Sequence, residues 1–338
     1  EMLRSLVGSE MCIRDSLILN AGHAIDPALL KDTTLSRQSL ITRHLAAIVK
    51  RLDTSRVVTA GCNEVNPANH LFRSDALDVL GFNYHEQYLE PFLRNFPGRK
   101  LIVSESTSAL MTRGYYEMPS DHIYIRPESW DKPFEAPEHV CSSYDNCHVP
   151  WGSTHEKTWH LVKTLPHVSG LFVWTGFDYL GEPTPYWWPS RSSFFGIVDL
   201  AGFPKDVYYM YKSEWTDEPV LHIFPHWNWK EGERVDIWAY YNNADEVELY
   251  LNGKSLGVRQ KTDSTYHVSW RVPFTPGTLR AVSRLGGKEV LVKEIHTAGE
   301  PARLVLTPDR SVIQADGSDL SFAVSYTHLR AHETPEHL

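Results

Sequence analysis

The chain predicts an α/β region followed by an all-β region, and three patterns carry that prediction. In the first part, short apolar runs follow one another: Arg56–Ala60 (RVVTA), Leu77–Tyr84 (LDVLGFNY), Leu101–Glu105 (LIVSE) and Gly170–Trp174 (GLFVW). They lack polar alternation, so they are expected to be strands buried on both faces, as in a parallel sheet covered by helices. From about Pro219 the runs alternate instead, in Val235–Tyr241, Val247–Leu251, Tyr266–Val272 and Leu279–Arg284. That is the pattern of an antiparallel sandwich. Asn252-Gly253, directly after Val247–Leu251, is the strongest hairpin signal in the chain.

Each element has a local reason. Residues 38–52 place Leu40, Ile41, Leu45, Ile48, Val49 and Leu52 on one helical face, and Asp53 and Ser55 end the helix. The four apolar runs end in polar or aromatic residues: Asn63-Glu64 after the first, then Asn83-Tyr84-His85, Glu105-Ser106, and Trp174 with Asp178. Functional residues gathered at the C-terminal ends of parallel strands are the habit of a (β/α)8 barrel. Residues 113–165 are expected to be a long loop-like insertion, rich in Pro, Tyr, Trp and His, and 179–195 a second one. Both would lie over the strand ends as pocket walls. The sandwich resembles an immunoglobulin-like domain in style. A further sandwich is expected to begin after Glu300-Pro301.

Composition narrows the partners. The 338 residues hold 33 Lys+Arg against 42 Asp+Glu, a formal net charge of -9, which disfavours nucleic acid and anionic membrane surfaces. No apolar run approaches the ~20 residues of a transmembrane helix. Aromatic residues reach 12 %, with 11 Trp and 16 Tyr, which fits either sugar-stacking surfaces or an aromatic sandwich core. Four cysteines make no disulfide scaffold at this length. Cys141 and Cys147 are close enough in sequence to bridge in an oxidising compartment, and the residues leave that open. No His/Cys spacing points to zinc, and neither metal nor cofactor is expected.

The two ends stand apart. Residues 1–16 (EMLRSLVGSEMCIRDS) lack the parts of a secretory signal, and they and the stretch from Ser325 (SYTHLRAHETPEHL) resemble translated sequencing-adapter read-through. The native sequence between them is expected to be an internal piece of a larger protein.

Glu105 is the sharpest candidate for chemistry. A carboxylate ending a buried parallel strand is costly unless it is paired or used. Tyr84, ending the preceding strand, is a natural phenol donor to it, favouring its ionised form. Trp174, ending the next, offers a flat apolar wall.

These residues carry a resemblance. The stretches LDVLGFNYH, LIVSESTSALMTRGYY, SSYDNCHVPWG, GLFVWTGFDYLGEPTPY and FFGIVDLAGFPKDVYYMYKSEW resemble the C-terminal half of the catalytic barrel of glycoside hydrolase family 2, of the type found in Bacteroidetes β-galactosidases. VELYLNGKSLG is similar to the family's accessory domain after the barrel. The resemblance implies barrel strands 5–8 within 17–216, an immunoglobulin-like sandwich at 217–299, and the start of another at 300–324. It also implies a retaining exo-β-glycosidase acting on a β-linked glycan. The seventh-strand Glu, here Glu105, would be the nucleophile, with Tyr84 orienting it. Trp174, Asn83, His85, Asp178, His148 and the loop 179–191 would line the sugar subsite.

The resemblance also implies what is missing. The family's acid/base Glu ends the fourth strand inside an Asn-Glu pair, which would lie upstream of Leu17. Glu64, in Asn63-Glu64, is a substitute one strand too late. The isolated chain is therefore expected to hydrolyse no aryl β-galactoside above background. The glucuronidase branch carries an Asn-x-Lys motif shortly after strand eight. Here Asn228-Trp229-Lys230 and Asn252-Gly253-Lys254 come too late, so galactosidase leads. Family habit points to the periplasm or cell surface. The rival reading is a carbohydrate-binding or adhesive module with no chemistry, and Glu105 discriminates the two.

Overall fold

The computed structural model describes residues 34–129, 132, 139–329 and 336–337, so the expectation for residues 1–16 lies outside it. The chain divides into two units between Tyr208 and Tyr209.

The first unit opens with helix α1 (Arg37–Leu52), whose Ser36 side chain caps the Ser39 amide at 3.1 Å and whose last turn stops at Asp53. Its expected apolar face is corrected by the structure. The residues it buries are Ser39, Thr42 and Ala46, whereas Leu40 and Leu52 are 53 % and 72 % exposed. The cause is the packing partner. Ser39 Oγ donates to the carbonyl of His70 at 3.0 Å and Arg43 Nε to that of Ser74 at 2.6 Å, so short and polar side chains face the short helix α2 (His70–Arg73).

The sheet has four parallel strands in the order β1 (Gly61–Cys62), β2 (Leu80–Asn83), β3 (Leu101–Thr107) and β6 (Val168–Trp174). The first apolar run sits just before its strand: Val58 accepts from the amides of Asp78 and Val79, and regular pairing begins only at Gly61. On the neighbouring strand Gly81 lets the backbones approach, because a Cβ there would lie 2.4 Å from the carbonyl oxygen of Ala60. Strand β2 is buried throughout, and β3 alternates between buried and half-buried positions. Strand β6 forms an edge of the sheet, and its apolar run is not buried on both faces as the missing alternation predicts: Phe172 is 62 % exposed. Apolar composition makes a strand fit for burial; a layer packed on each face is what delivers it. Beneath β1–β3, Phe72, Phe82, Phe92 and Phe96 pack mostly edge to face, with centroids 5.0–5.8 Å apart. Helix α3 (Phe92–Asn95) contributes the fully buried Phe92.

The expected loop at 113–165 contains more order than its composition predicts. It holds the parallel pair β4 (Tyr124–Ile125) and β5 (Cys147–His148) and a helix, α4 (His155–Thr164). Both carboxylate oxygens of Asp145 accept from the first amides of α4, those of His155 (2.8 Å) and Glu156 (2.7 Å). Helix α5 (Asp206–Trp215) follows the second insertion.

The second unit contains two antiparallel sheets. One runs β10 (Lys254–Arg259), β9 (Glu246–Leu251), β12 (Thr278–Leu285), β13 (Lys288–His296); the other runs β11 (His267–Pro273), β8 (Arg234–Tyr241), β7 (Leu221–Phe224). The β9–β10 hairpin turns on Asn252 and Gly253, with φ of 51° and 79°, the left-handed pair that an Asn-Gly turn supplies. Part of the aromatic surplus is core here: Trp227, Tyr240, Tyr241, Tyr266 and Trp270 are all buried. Strand β8 is buried at nearly every position rather than at alternate ones. Its Asp236 is compensated by Arg271 on β11, with contacts of 2.5 and 2.8 Å. A third sheet pairs β14 (Pro301–Pro308) with β15 (Ala323–Leu329) and β16 (Glu336–His337), and β15 runs through Ser325. Among the described residues no helix is long and apolar enough to cross a membrane.

Candidate active site

Parallel pairing brings the ends of β2, β3 and β6 side by side. Asn83 pairs with Glu105, and Thr107 with Trp174. The backbone then leaves regular geometry at these ends: Tyr84, His85, Thr107 and Ser108 all have positive φ, between 49° and 70°. Non-glycine residues adopt that region at a cost, and it turns successive side chains away from strand alternation.

Tyr84 and Glu105 meet there. The phenol donates to Glu105 Oε1 at 2.6 Å and lies 2.7 Å from Ser108 Oγ. A phenol has one proton and a carboxylate none, so the directions follow: Ser108 donates to Tyr84, and Tyr84 donates to Glu105. Burial and the adjacent carboxylate hold the Tyr84 hydroxyl far above its ordinary range, so it stays a donor. Burial pushes the Glu105 carboxyl up, the Tyr84 bond pulls it down, and the charge of Glu182 pushes it up again. Among the described residues no cation is part of that balance.

Trp174 stands at the end of β6, its ring 5.9 Å from Tyr179 and at 82° to it, and the Trp174–Thr175 peptide bond is cis. The Tyr179 hydroxyl donates to the Glu182 carboxylate. The composition of loop 179–191 marked it as a wall. The specific roles of Tyr179 and Glu182 escaped the sequence reading, as did that of Ser108. Polar and aromatic residues in a turn-rich loop carry no periodic signal that would single them out.

The residues after Glu105 bind both insertions. The amide of Leu110 donates to Cys147 at 2.8 Å, that of Met111 to Phe194 at 3.0 Å, and that of Thr112 to Cys141 at 2.9 Å. Leu110, Cys141, Cys147, Val149, Tyr186 and Phe195 form a buried cluster against which Trp151 and Trp174 pack. Cys141 and Cys147 are free thiols there, and Cys141 Sγ lies 3.2 Å from Tyr186 Oη.

The other expected residues are engaged elsewhere. Asn83 is buried and accepts from Ser104 Oγ at 2.8 Å. His85 uses Nε2 on the carbonyl of Asn63, tying the end of β2 to the loop after β1. The Glu64 carboxylate turns back on its own loop, accepting from the Asn66 amide at 3.1 Å. Asp178 is 2.8 Å from Lys205 Nζ and 2.8 Å from the Gly196 amide. His148 donates from Nδ1 to the carbonyl of Val149 at 2.8 Å, and burial lowers its pKa, so it is a neutral ring at pH 7. Among the described residues no group of three or more His, Cys, Asp or Glu could hold a metal ion.

The chain is similar to known proteins. Residues 232–291 match the family model described as Domain of unknown function (DUF4982). The β-galactosidase BoGH2A of Bacteroides ovatus is 59 % identical over 307 residues, covering 91 % of this chain and 36 % of that protein. A glycosyl hydrolase family 2 member from Bacteroides cellulosilyticus superposes with a TM-score of 0.62 at 29 % identity, over 88 % of this chain and 36 % of that one. The chain is homologous to glycoside hydrolase family 2. A putative β-glucuronidase of Formosa agariphila is also similar, 33 % identical over 78 % of this chain and 27 % of its own length. The chain thus spans about a third of the length of the curated relatives it matches, or less. The solved family 2 structures it resembles point to a TIM-barrel portion together with β-sandwich domains.

Proposed function

We propose that this chain is the nucleophile-bearing part of a retaining exo-β-glycosidase, a β-galactosidase in preference to its relatives. In this reading β1, β2, β3 and β6 are barrel strands five to eight, residues 217–299 form an immunoglobulin-like sandwich, and 300–324 begin another. Glu105 attacks the anomeric carbon. Its oxygen forms the new C1–O bond as the leaving group departs with the electron pair of the old one. Water then releases the sugar with retained configuration. Tyr84 holds the attacking carboxylate in its ionised form and in register, and Trp174 and the loop 179–191 form walls of the sugar subsite.

One observation carries the proposal: a half-buried strand-end carboxylate hydrogen-bonded to a phenol, with no cation in its charge balance among the described residues. A structural carboxylate at such a depth calls for an ion pair, and a binding module has no use for this one. The acid/base partner belongs to another part of the barrel, because Glu64 is committed to its own loop. General acid catalysis contributes ~10²–10⁴-fold, so the chain alone turns over ordinary aryl β-galactosides no faster than background.

The test uses a substrate that needs no acid. A 2-deoxy-2-fluoro-β-galactoside with a dinitrophenyl leaving group is incubated with the chain, and intact mass and peptide mapping follow. One fluorogalactosyl adduct on Glu105 is expected, absent in Glu105→Gln. An unlabelled Glu105 overturns the nucleophile assignment and favours a carbohydrate-binding module.

A further inference from the structure

The relatives include β-galactosidases and β-glucuronidases, whose sugars differ at the carbon beyond C5: a neutral hydroxymethyl group in one, a carboxylate in the other. Resting on the reading above, we infer that Glu182 is the residue that makes this site select neutral sugars and refuse uronic acids.

The geometry begins at the base of the second insertion. Residues 179 and 193 close it as a hairpin: the Ser193 amide donates to the Tyr179 carbonyl at 2.8 Å, and the Tyr179 amide donates to Ser193 Oγ at 3.1 Å. One step along, Leu180 bridges to Ser192 and the Gly181 amide donates to Arg191 at 2.9 Å. Glu182 is therefore the first residue past a closed ladder, on a fixed base. Its carboxylate is then pinned by the Tyr179 hydroxyl, and the Tyr179 ring packs edge-on against Trp174 with centroids 5.9 Å apart. Trp174 is paired through Thr107 to the strand that carries Glu105. A chain of specific contacts thus sets the position of Glu182 relative to Glu105.

The two carboxylates are held alike. Each accepts from a tyrosine hydroxyl, Tyr84 for Glu105 and Tyr179 for Glu182. They are close enough for the charge of Glu182 to act on Glu105 and for that of Glu105 to act on Tyr179. Glu182 differs in lying open to solvent. An exposed carboxylate fixed in place beside a nucleophile is a ready acceptor for sugar hydroxyls, because it offers lone pairs and no proton. For a uronic acid the same group is a penalty. It sets a third negative charge beside two, with no cation among the groups that act on Glu105 in the described residues. Rejection by a misplaced like charge is an established route to specificity.

The experiment compares labelling rates of the chain with two reagents, the dinitrophenyl 2-deoxy-2-fluoro-β-galactoside and the matching β-glucuronide. Wild type is expected to label at Glu105 with the galactoside and at least tenfold more slowly with the glucuronide. Glu182→Gln, which keeps the shape and removes the charge, is expected to raise glucuronide labelling about tenfold while slowing galactoside labelling several-fold. Glu182→Lys should widen the glucuronide gain and abolish the preference. A preference unchanged in both variants, with Glu105 still labelled, overturns the role of Glu182 and leaves the nucleophile assignment standing. No adduct on Glu105 with either reagent overturns both. The variants change an exposed side chain, and matching far-ultraviolet circular dichroism confirms that any change in preference is not a loss of fold.

Discussion

Two carboxylates near the C-terminal ends of neighbouring parallel strands have been given opposite company. Asp178, four residues past β6, meets Lys205, which is 1 % exposed and also donates to the carbonyls of Met111 (2.8 Å) and Phe194 (3.3 Å). Glu105, within β3, meets a neutral phenol and the charge of another carboxylate. Burial pushes both carboxyls up, and it pushes the Lys205 ammonium down. At Asp178 an ion pair and the Gly196 amide offset part of that cost, and at Glu105 a neutral phenol offsets part of it. Both carboxyls stay above their ordinary range. What separates them among the described residues is the partner: Asp178 is tied to a buried counter-charge, and Glu105, with none acting on it, is available for a reaction.

The contrast is broken most sharply by making both side chains amides. Glu105→Gln eliminates the fluorosugar adduct altogether. The same change should also make the protein more stable at neutral pH. Glu105 is raised above its unfolded value, so between the two values the native state holds a proton that the unfolded chain has released. Stability therefore falls as pH rises through that window, and removing the titrating group removes the loss. Urea midpoints from pH 4 to 8 check the sign: the variant's advantage should grow with pH and vanish at the acid end. Asp178→Asn should do the reverse. It leaves a buried ammonium without its counter-charge, which costs about 3–5 kcal/mol of stability, while any molecules that remain folded still label at Glu105. A destabilised Glu105→Gln beside a neutral Asp178→Asn would invert the comparison.

The sequence made Glu105 legible and left Asp178 ambiguous for the same reason. Glu105 interrupts an apolar run, and a carboxylate in that setting is conspicuous whatever surrounds it. Tyr84 was readable because parallel strands place their C-terminal ends together. Asp178 lies beyond its strand, and its fate depends on Lys205, more than twenty residues later and in no pattern with it. Asn83 and His85 are adjacent to Tyr84 in the chain, yet one faces Ser104 and the other the carbonyl of Asn63. Being next to a functional residue at a turn says little about direction when the backbone there has positive φ. The helix 37–52 teaches the converse: its apolar periodicity was real, but serine and alanine proved to be the residues with something to pack against. The sandwich was the most legible region, because alternation and an Asn-Gly turn are local signals that need no distant partner.

Smaller effects sharpen the account of how the phenol serves Glu105. Tyr84→Phe removes a hydrogen bond to a charged group, worth about 1.5–3 kcal/mol, so labelling should slow by roughly 10- to 100-fold. Since that bond holds the carboxyl down, its loss should also move the acid limb of the labelling profile to higher pH. A slower reaction with an unmoved acid limb would mean that Tyr84 only fills space.

Ser108→Ala acts one bond further away. It deletes a donor to the Tyr84 oxygen and leaves the Tyr84–Glu105 contact in place. A neutral hydrogen bond contributes about 0.5–1.5 kcal/mol, so the variant should slow labelling by only a few-fold, with the acid limb displaced in the same direction as in Tyr84→Phe. The double-mutant cycle with Tyr84→Phe is decisive, because without the phenol oxygen the serine donor has no target. In that background the substitution should become silent. If it still slows the reaction there, Ser108 works by packing against the sugar, and the direction assigned to its hydrogen bond with Tyr84 is wrong.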